Sequence, residues 1–199
     1  MQVYFGCTRA RAMLAEMASV GIGRVMTPDA RSQPAPEERW ALDNGAFAAW
    51  RRGDPEFPAE QFRTHLEWGA RQATMPVWAV VPDRVAQGPT SLDYSTEWLT
   101  GGELPGWPWY LAVQDGMPTD MVRDVARATA VAGLFVGGST EFKVSTAAMW
   151  VEVADSLGIA CHWGRASRMS WATYASEIGC TSCDTTQPLW ERSAFRRWI

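Results

Sequence analysis

The sequence predicts an α/β protein with a parallel sheet, closed into a compact (β/α)8 barrel that takes up residues 1–199 as one domain. Three observations carry this reading. Short apolar runs of strand length alternate with helical patterns along the whole chain, the arrangement that crossover helices impose on parallel strands. Eight such runs can be picked out, the number a barrel needs. A chain of 199 residues, 47% hydrophobic and 20% charged, is the size of one domain with a sizeable core, at the small end for a barrel. The rival is an open, doubly wound sheet in which the second or third run is not a strand. No G-x-G-x-x-G follows the first strand, so a dinucleotide-binding half has no support.

In chain order, "QVYFG" (2–6) is a strand of β-branched and aromatic residues closed by Gly. "RAMLAEMASVG" is a helix stopped at Gly21, and "GRVMT" (23–27) a weaker second strand. The Pro-rich "DARSQPAPEE" is a loop. "WALDNG" (40–45) is the third strand, ending in a turn signal. A helix follows from about Pro58 to Ala73, with Phe62, Leu66 and Trp68 on a helical period and His65 expected at its surface. "PVWAVVPD" (76–83) is continuously apolar, as a strand buried on both faces should be. After the helix "SLDYSTEWL" come the strand "WPWYLAVQDG" (107–116) and the helix "TDMVRDVARATAV", with Thr119 as its expected N-cap. "GLFVGG" (133–138), a helix from about Lys143 to Leu157, "IACHWG" (159–164), the helix "SRMSWATYASEIG" and "CTSCD" (180–184) continue the pattern. "PLWERSAFRRWI" closes it as a helix with Pro188 in its first turn.

Composition narrows the function classes. No apolar run approaches the roughly 20 residues that span a bilayer, and the N-terminus lacks the basic-then-apolar order of a secretory signal, so a cytoplasmic protein without membrane contact is expected. Four cysteines in such a chain are expected to be thiols. The net charge of −4 gives no general attraction to nucleic acid; binding to it needs a local basic patch. Arginine supplies 17 of the 18 basic residues, and Arg is the better partner for phosphate.

Parallel sheets bind ligands beyond the C-terminal ends of their strands. There stand Asp43-Asn44-Gly45, Pro82-Asp83, Gln114-Asp115-Gly116, Gly137-Gly138-Ser139, His162-Trp163-Gly164-Arg165 and Asp184-Thr185-Thr186. One Asp after a strand is ordinarily a cap or turn residue. A whole rim of carboxylates, a carboxamide, an imidazole and bare backbone N–H is more than capping needs.

The ordered set "LDNGAF … VVPD … AVQDG … FVGGS … HWGR … SCDTT", from about residue 40 to 185, resembles the tRNA-guanine transglycosylase superfamily. Within it, the set looks most like the small DNA-modifying relatives of phages and bacterial defence-like clusters, the DpdA group. That resemblance implies a (β/α)8 barrel glycosyltransferase that exchanges guanine in DNA for a free 7-deazaguanine base, without a cofactor. It implies Asp184 as the nucleophile on the sugar C1′ and Asp43 of the D-x-G-x-F motif as the second catalytic carboxylate. Asp83 would accept from the guanine N1–H and amino group, and Gln114 and the Gly138 N–H would donate to its O6 side; Gly137, Phe47 and His162 complete the substrate-binding set. Displacement at an anomeric carbon through a carboxylate pair is the chemistry of glycoside cleavage, and the target base must leave its stack to reach a barrel rim. The tRNA enzymes carry a Cys3His zinc site after the nucleophile strand. Here 15 residues follow Asp184 and none is Cys or His, and Cys180 and Cys183 lie on the other side, so no metal is expected and DNA is preferred to tRNA. Arg165 and Arg168, opening a helix after the seventh strand, and Arg192 and Arg196 on the last helix are the candidate backbone contacts. A tRNA-directed enzyme, a catalytically inactive barrel that binds a purine or a nucleic acid, and a nucleoside hydrolase are the alternatives.

Overall fold

The computed structural model describes residues 1–54 and 56–198, apart from the side chains of residues 192–194. Its sheet is a closed barrel of eight parallel strands, each hydrogen-bonded to its sequence neighbours and the last to the first. β1 (Gln2–Gly6) leads into α1 (Arg11–Ser19), β2 (Gly23–Met26) and β3 (Trp40–Leu42). Two helices, α2 (Ala46–Arg52) and α3 (Ala59–Ala70), precede β4 (Ala79–Val80). Then α4 (Pro89–Thr100), β5 (Trp109–Val113), α5 (Thr119–Thr129), β6 (Gly133–Val136), α6 (Thr140–Leu157), β7 (Ala160–Trp163), α7 (Met169–Glu177) and β8 (Ser182–Thr185) alternate strictly, ending in α8 (Gln187–Trp190) and α9 (Arg192–Trp198).

Alternation along each strand sends one set of side chains into the barrel and the other under the helices. Tyr4, Val25, Ala41, Trp78, Val80, Tyr110 and Ala112 fill the interior, with Phe135 packed against them. Phe5, Leu111, Val113, Leu134, Val136 and Cys183 belong to the outer layer beneath the helices. The interior is aromatic: Trp78 stacks on Tyr110 at 5.4 Å and lies 4.5 Å from the His162 ring.

Several elements differ from the sequence reading for identifiable reasons. β4 is regular strand over two residues only, although Val77 and Val81 on either side still donate to the Trp40 and Tyr110 carbonyls of the neighbouring strands at 2.8 and 3.0 Å. Gly45, at φ +80°, turns the chain after β3 directly into α2, which the sequence did not announce. Ser139 caps α6, its Oγ accepting the Phe142 N–H at 3.1 Å, so that helix starts three residues before Lys143. Thr119 is not a cap: the N-cap of α5 is Pro118, with no side-chain bond. His65 is fully buried rather than at the surface, with Nε2 3.2 Å from the Met26 carbonyl and its ring stacked on Trp68; burial pushes its pKa down to about 4. No helix lies between β2 and β3. The loop there is held by buried Arg24, which pairs with Glu38 and donates to Ser32 Oγ at 2.7 Å. No helix among the described residues is long and apolar enough to cross a membrane.

Candidate active site

Asp184 sits two residues after Ser182 on β8, so both side chains share the inner face of the barrel while Cys183 points outward. On β7, His162 is fully buried and bridges them, with Nδ1 2.7 Å from Ser182 Oγ and Nε2 3.0 Å from Asp184 Oδ1. The backbone N–H of Arg165 donates to the same Oδ1 at 2.8 Å, and the Ala166 N–H to the Asp184 carbonyl at 2.7 Å. Burial alone would raise the Asp184 pKa. The hydrogen bond and charge of His162, the Arg165 N–H and the Lys143 ammonium outweigh it and hold the carboxyl below its ordinary value. Asp184 is therefore an anion with Oδ1 engaged.

The turn that grips it is itself held. Lys143, the one lysine in the chain, is buried on α6 and donates to the Gly164 carbonyl at 2.7 Å. Desolvation lowers its pKa to about 8. Arg165 adopts φ +57°, a left-handed conformation unusual for a non-glycine residue.

Asp83, buried at the end of the run that carries β4, is clamped by two carboxamides: Asn44 Nδ2 donates to Oδ1 at 2.7 Å and Gln114 Nε2 to Oδ2 at 3.1 Å. The Ala86 N–H donates to Gln114 Oε1 at 2.6 Å, which fixes the amide with its NH2 toward Asp83. Asp43 accepts the Gly45 N–H at 2.7 Å. Burial pushes the pKa of both Asp43 and Asp83 up to about 6; Asp43 is raised further by the neighbouring Asp184 and Asp83 charges.

The predicted residues Asp43, Phe47, Asp83, Gln114, Gly137, Gly138, Arg165 and Asp184 do meet, around a cavity of about 60 Å³ at the C-terminal mouth. Gly138 has φ +71°, and a Cβ there would come within 2.4 Å of Asp115 Oδ2, the carboxylate that anchors the Ser139 N–H at 2.8 Å. The Gly137 N–H is spent on the Val113 carbonyl at 2.9 Å.

Three placements correct the sequence reading. His162 does not line the cavity; it stands behind Asp184 and reaches a ligand only through that carboxylate. Arg165 does not face outward to a backbone: its guanidinium lies over the Phe47 ring at 3.6 Å and donates to the Gly138 carbonyl at 2.8 Å, inside the cavity. Arg168, the N-cap of α7, and Arg196, on α9, are exposed but outside the cavity; Arg196 lines a separate groove with Trp190 and Glu16. The Arg192 side chain lies outside the described residues. Sequence reading placed Asn44 at the rim but gave it no role, since it stands in a common turn motif, and missed Lys143 and Ser182, whose partners are 21 and 20 residues away. Cys161, Cys180 and Cys183 are buried free thiols, and no cluster of three or more potential metal ligands occurs among the described residues.

The fold and site together define a class, a (β/α)8 barrel with a carboxylate-walled cavity at the mouth where such barrels bind ligands. No protein-family model matches the chain, and no curated protein does. Among solved structures, RipC from Yersinia pestis matches over 94% of this chain and 90% of its own, with a TM-score of 0.57 and 14% identity. That likeness extends to the barrel fold alone.

Proposed function

We propose that the protein is a DNA guanine transglycosylase, exchanging guanine in DNA for a 7-deazaguanine base through a covalent aspartyl-glycosyl intermediate. The observation that carries this reading is the separation of roles among three carboxylates around one cavity. Asp184 is held ionised, while Asp43 and Asp83 are poised to share protons near neutrality.

In the forward step, Asp184 Oδ2 forms a bond to C1′ as the bond from C1′ to the base nitrogen breaks. The bonding pair leaves with the base, and Asp43 supplies the proton that neutralises it. The incoming base returns its proton to Asp43 and attacks C1′, and the C1′–Asp184 bond breaks with its pair going back to the carboxylate. His162 and the Arg165 N–H, fixed on Oδ1, keep the other oxygen aimed and stabilise the anion on release. Asp83, oriented by Asn44 and Gln114, is the acceptor suited to the N1–H and amino group of guanine, which adenine does not pair in that order.

Incubation with single-stranded DNA, duplex DNA or tRNA and labelled guanine or 7-deazaguanine tests the proposal. Label should enter DNA, and Asp184→Ala should abolish incorporation while leaving the fold unchanged by circular dichroism. Incorporation into tRNA alone would reassign the substrate. Binding of free base without exchange on any nucleic acid would leave a purine-binding barrel, and release of guanine without incorporation a hydrolase.

A further inference from the structure

The cavity is small because part of it is already filled. Arg165 sends its side chain back across the mouth, so that the planar guanidinium lies flat on the Phe47 ring at 3.6 Å and donates to the Gly138 carbonyl at 2.8 Å. Its charge sits among Asp184, Asp43 and Asp83. The remaining 60 Å³ has room for a few water molecules and not for a two-ring base.

We infer that the Arg165 side chain is a displaceable stand-in for the ligand, occupying the slot on Phe47 that a base built on a guanidine unit takes over. The inference rests on the transglycosylase reading of the same cavity. The chemical match is direct: the N1, C2, amino nitrogen and N3 of guanine form a cyclic guanidine. That planar N–H-bearing unit suits an aromatic face and an acceptor-lined wall as the arginine head does.

The backbone permits the exchange. Side-chain departure leaves the Arg165 N–H on Asp184, the Ala166 N–H on the Asp184 carbonyl and Lys143 on the Gly164 carbonyl, so the nucleophile stays in place. The guanidinium itself is held by a single hydrogen bond, one ring contact and the attraction of Asp184, Asp43 and Asp83, with no hydrogen bond to any of the three carboxylates. A residue that bound a phosphate of the nucleic acid would instead be expected to face solvent, as Arg168 does.

The two roles predict opposite signs. If Arg165 is a stand-in, Arg165→Ala should bind free guanine about tenfold tighter by calorimetry, since base no longer competes with a stacked, hydrogen-bonded guanidinium. Arg165→Lys, which keeps the charge but cannot stack as a plane, should fall between wild type and the Ala variant. The emptied slot should also accept methylguanidinium, a probe independent of any enzymatic reading: at concentrations below those that denature, it should raise the Tm of Arg165→Ala and leave wild type unchanged. Guanine that binds wild type and binds a folded Arg165→Ala no more tightly, or no methylguanidinium effect on that variant, overturns the inference. Stabilisation by methylguanidinium with no purine binding to wild type or either variant supports the stand-in and sinks the transglycosylase reading instead.

Discussion

Three aspartates of identical chemistry are driven apart by their neighbours. Asp184 gains an imidazole and a backbone N–H on one oxygen and lies below the ordinary carboxyl pKa. Asp43 gains one backbone donor, but faces burial and two like charges, and rises to about 6. That difference has a thermodynamic sign. A carboxyl with a raised native pKa is protonated in the folded state and ionised in the unfolded chain between about pH 4 and 6. It therefore costs stability as pH rises through that window, and the cost stays constant above it. Asp43→Asn keeps an oxygen to accept the Gly45 N–H and removes the cost. It should raise stability at pH 7 by about 1–2 kcal/mol, with the gain vanishing below pH 4. Urea titrations at the two pH values check this; a variant no more stable at pH 7 than the parent would show that Asp43 is not strained by its charge. Loss of exchange in the same variant would place the strain at a functional group.

At the scale of elements, the site is made by strand ends and the short turns that follow them, and this decides what could be read in the sequence. Two carboxylates were visible because they follow an apolar run directly, Asp43 after "WAL" and Asp83 after "VVP", and Asp184 because it ends the short run "CTSCD" read as the last strand. Side-chain direction was not visible where the backbone departs from regular geometry. Arg165 turns inward because its φ is +57°, and nothing in "HWGRAS" announces a left-handed arginine. His162 stands behind Asp184 because neighbouring strands in register bring it beside Ser182, a relation between chain segments rather than within one. β4 was overextended because its apolar run suits a strand throughout, while regular strand geometry is confined to Ala79–Val80. The β7–α7 turn yields its own test. A Cβ on Gly164 would meet Phe135 Cε1 at 2.4 Å, and Phe135 is stacked on His162 at 4.9 Å in the barrel interior. Gly164→Ala should therefore cost about 1–3 kcal/mol by overpacking. It should also displace the Arg165 N–H from Asp184, so that exchange falls further than the loss of folded protein explains. An unchanged urea midpoint would mean that Phe135 has room to move.

For the whole molecule, a closed barrel has one seam where the end of the chain meets its beginning, and here it is β8 paired with β1, Tyr4 standing opposite Asp184. The proposed nucleophile thus depends in part on closure: if β8 separated from β1, Asp184 would lose the Tyr4 side of its register and be held by the β7 ladder, with His162, alone. The chain covers that seam with its final helix. Phe195 and Trp198 of α9 pack edge-on against Phe5 of β1, with ring centres 5.7 Å and 6.1 Å apart, and Phe5 is fully buried as a result. The sequence showed α8 and α9 as one helix starting near Pro188. Glu191, extended at φ −132° and ψ 103°, breaks them apart and lets α9 fold back over β1. Phe195 does not line the cavity, yet its loss should reach the residues that do. Phe195→Ala empties a buried aromatic site and should cost about 3–5 kcal/mol in urea unfolding. If the seam is where the barrel opens first, amide exchange in residues 182–185 and 2–6 should accelerate before that of β5 and β6, whose ladder joins Tyr110–Val113 to Gly133–Val136 and is covered by α5 and α6. Uniform acceleration across all strands would instead mean that the barrel opens as one unit and that α9 adds stability without guarding Asp184.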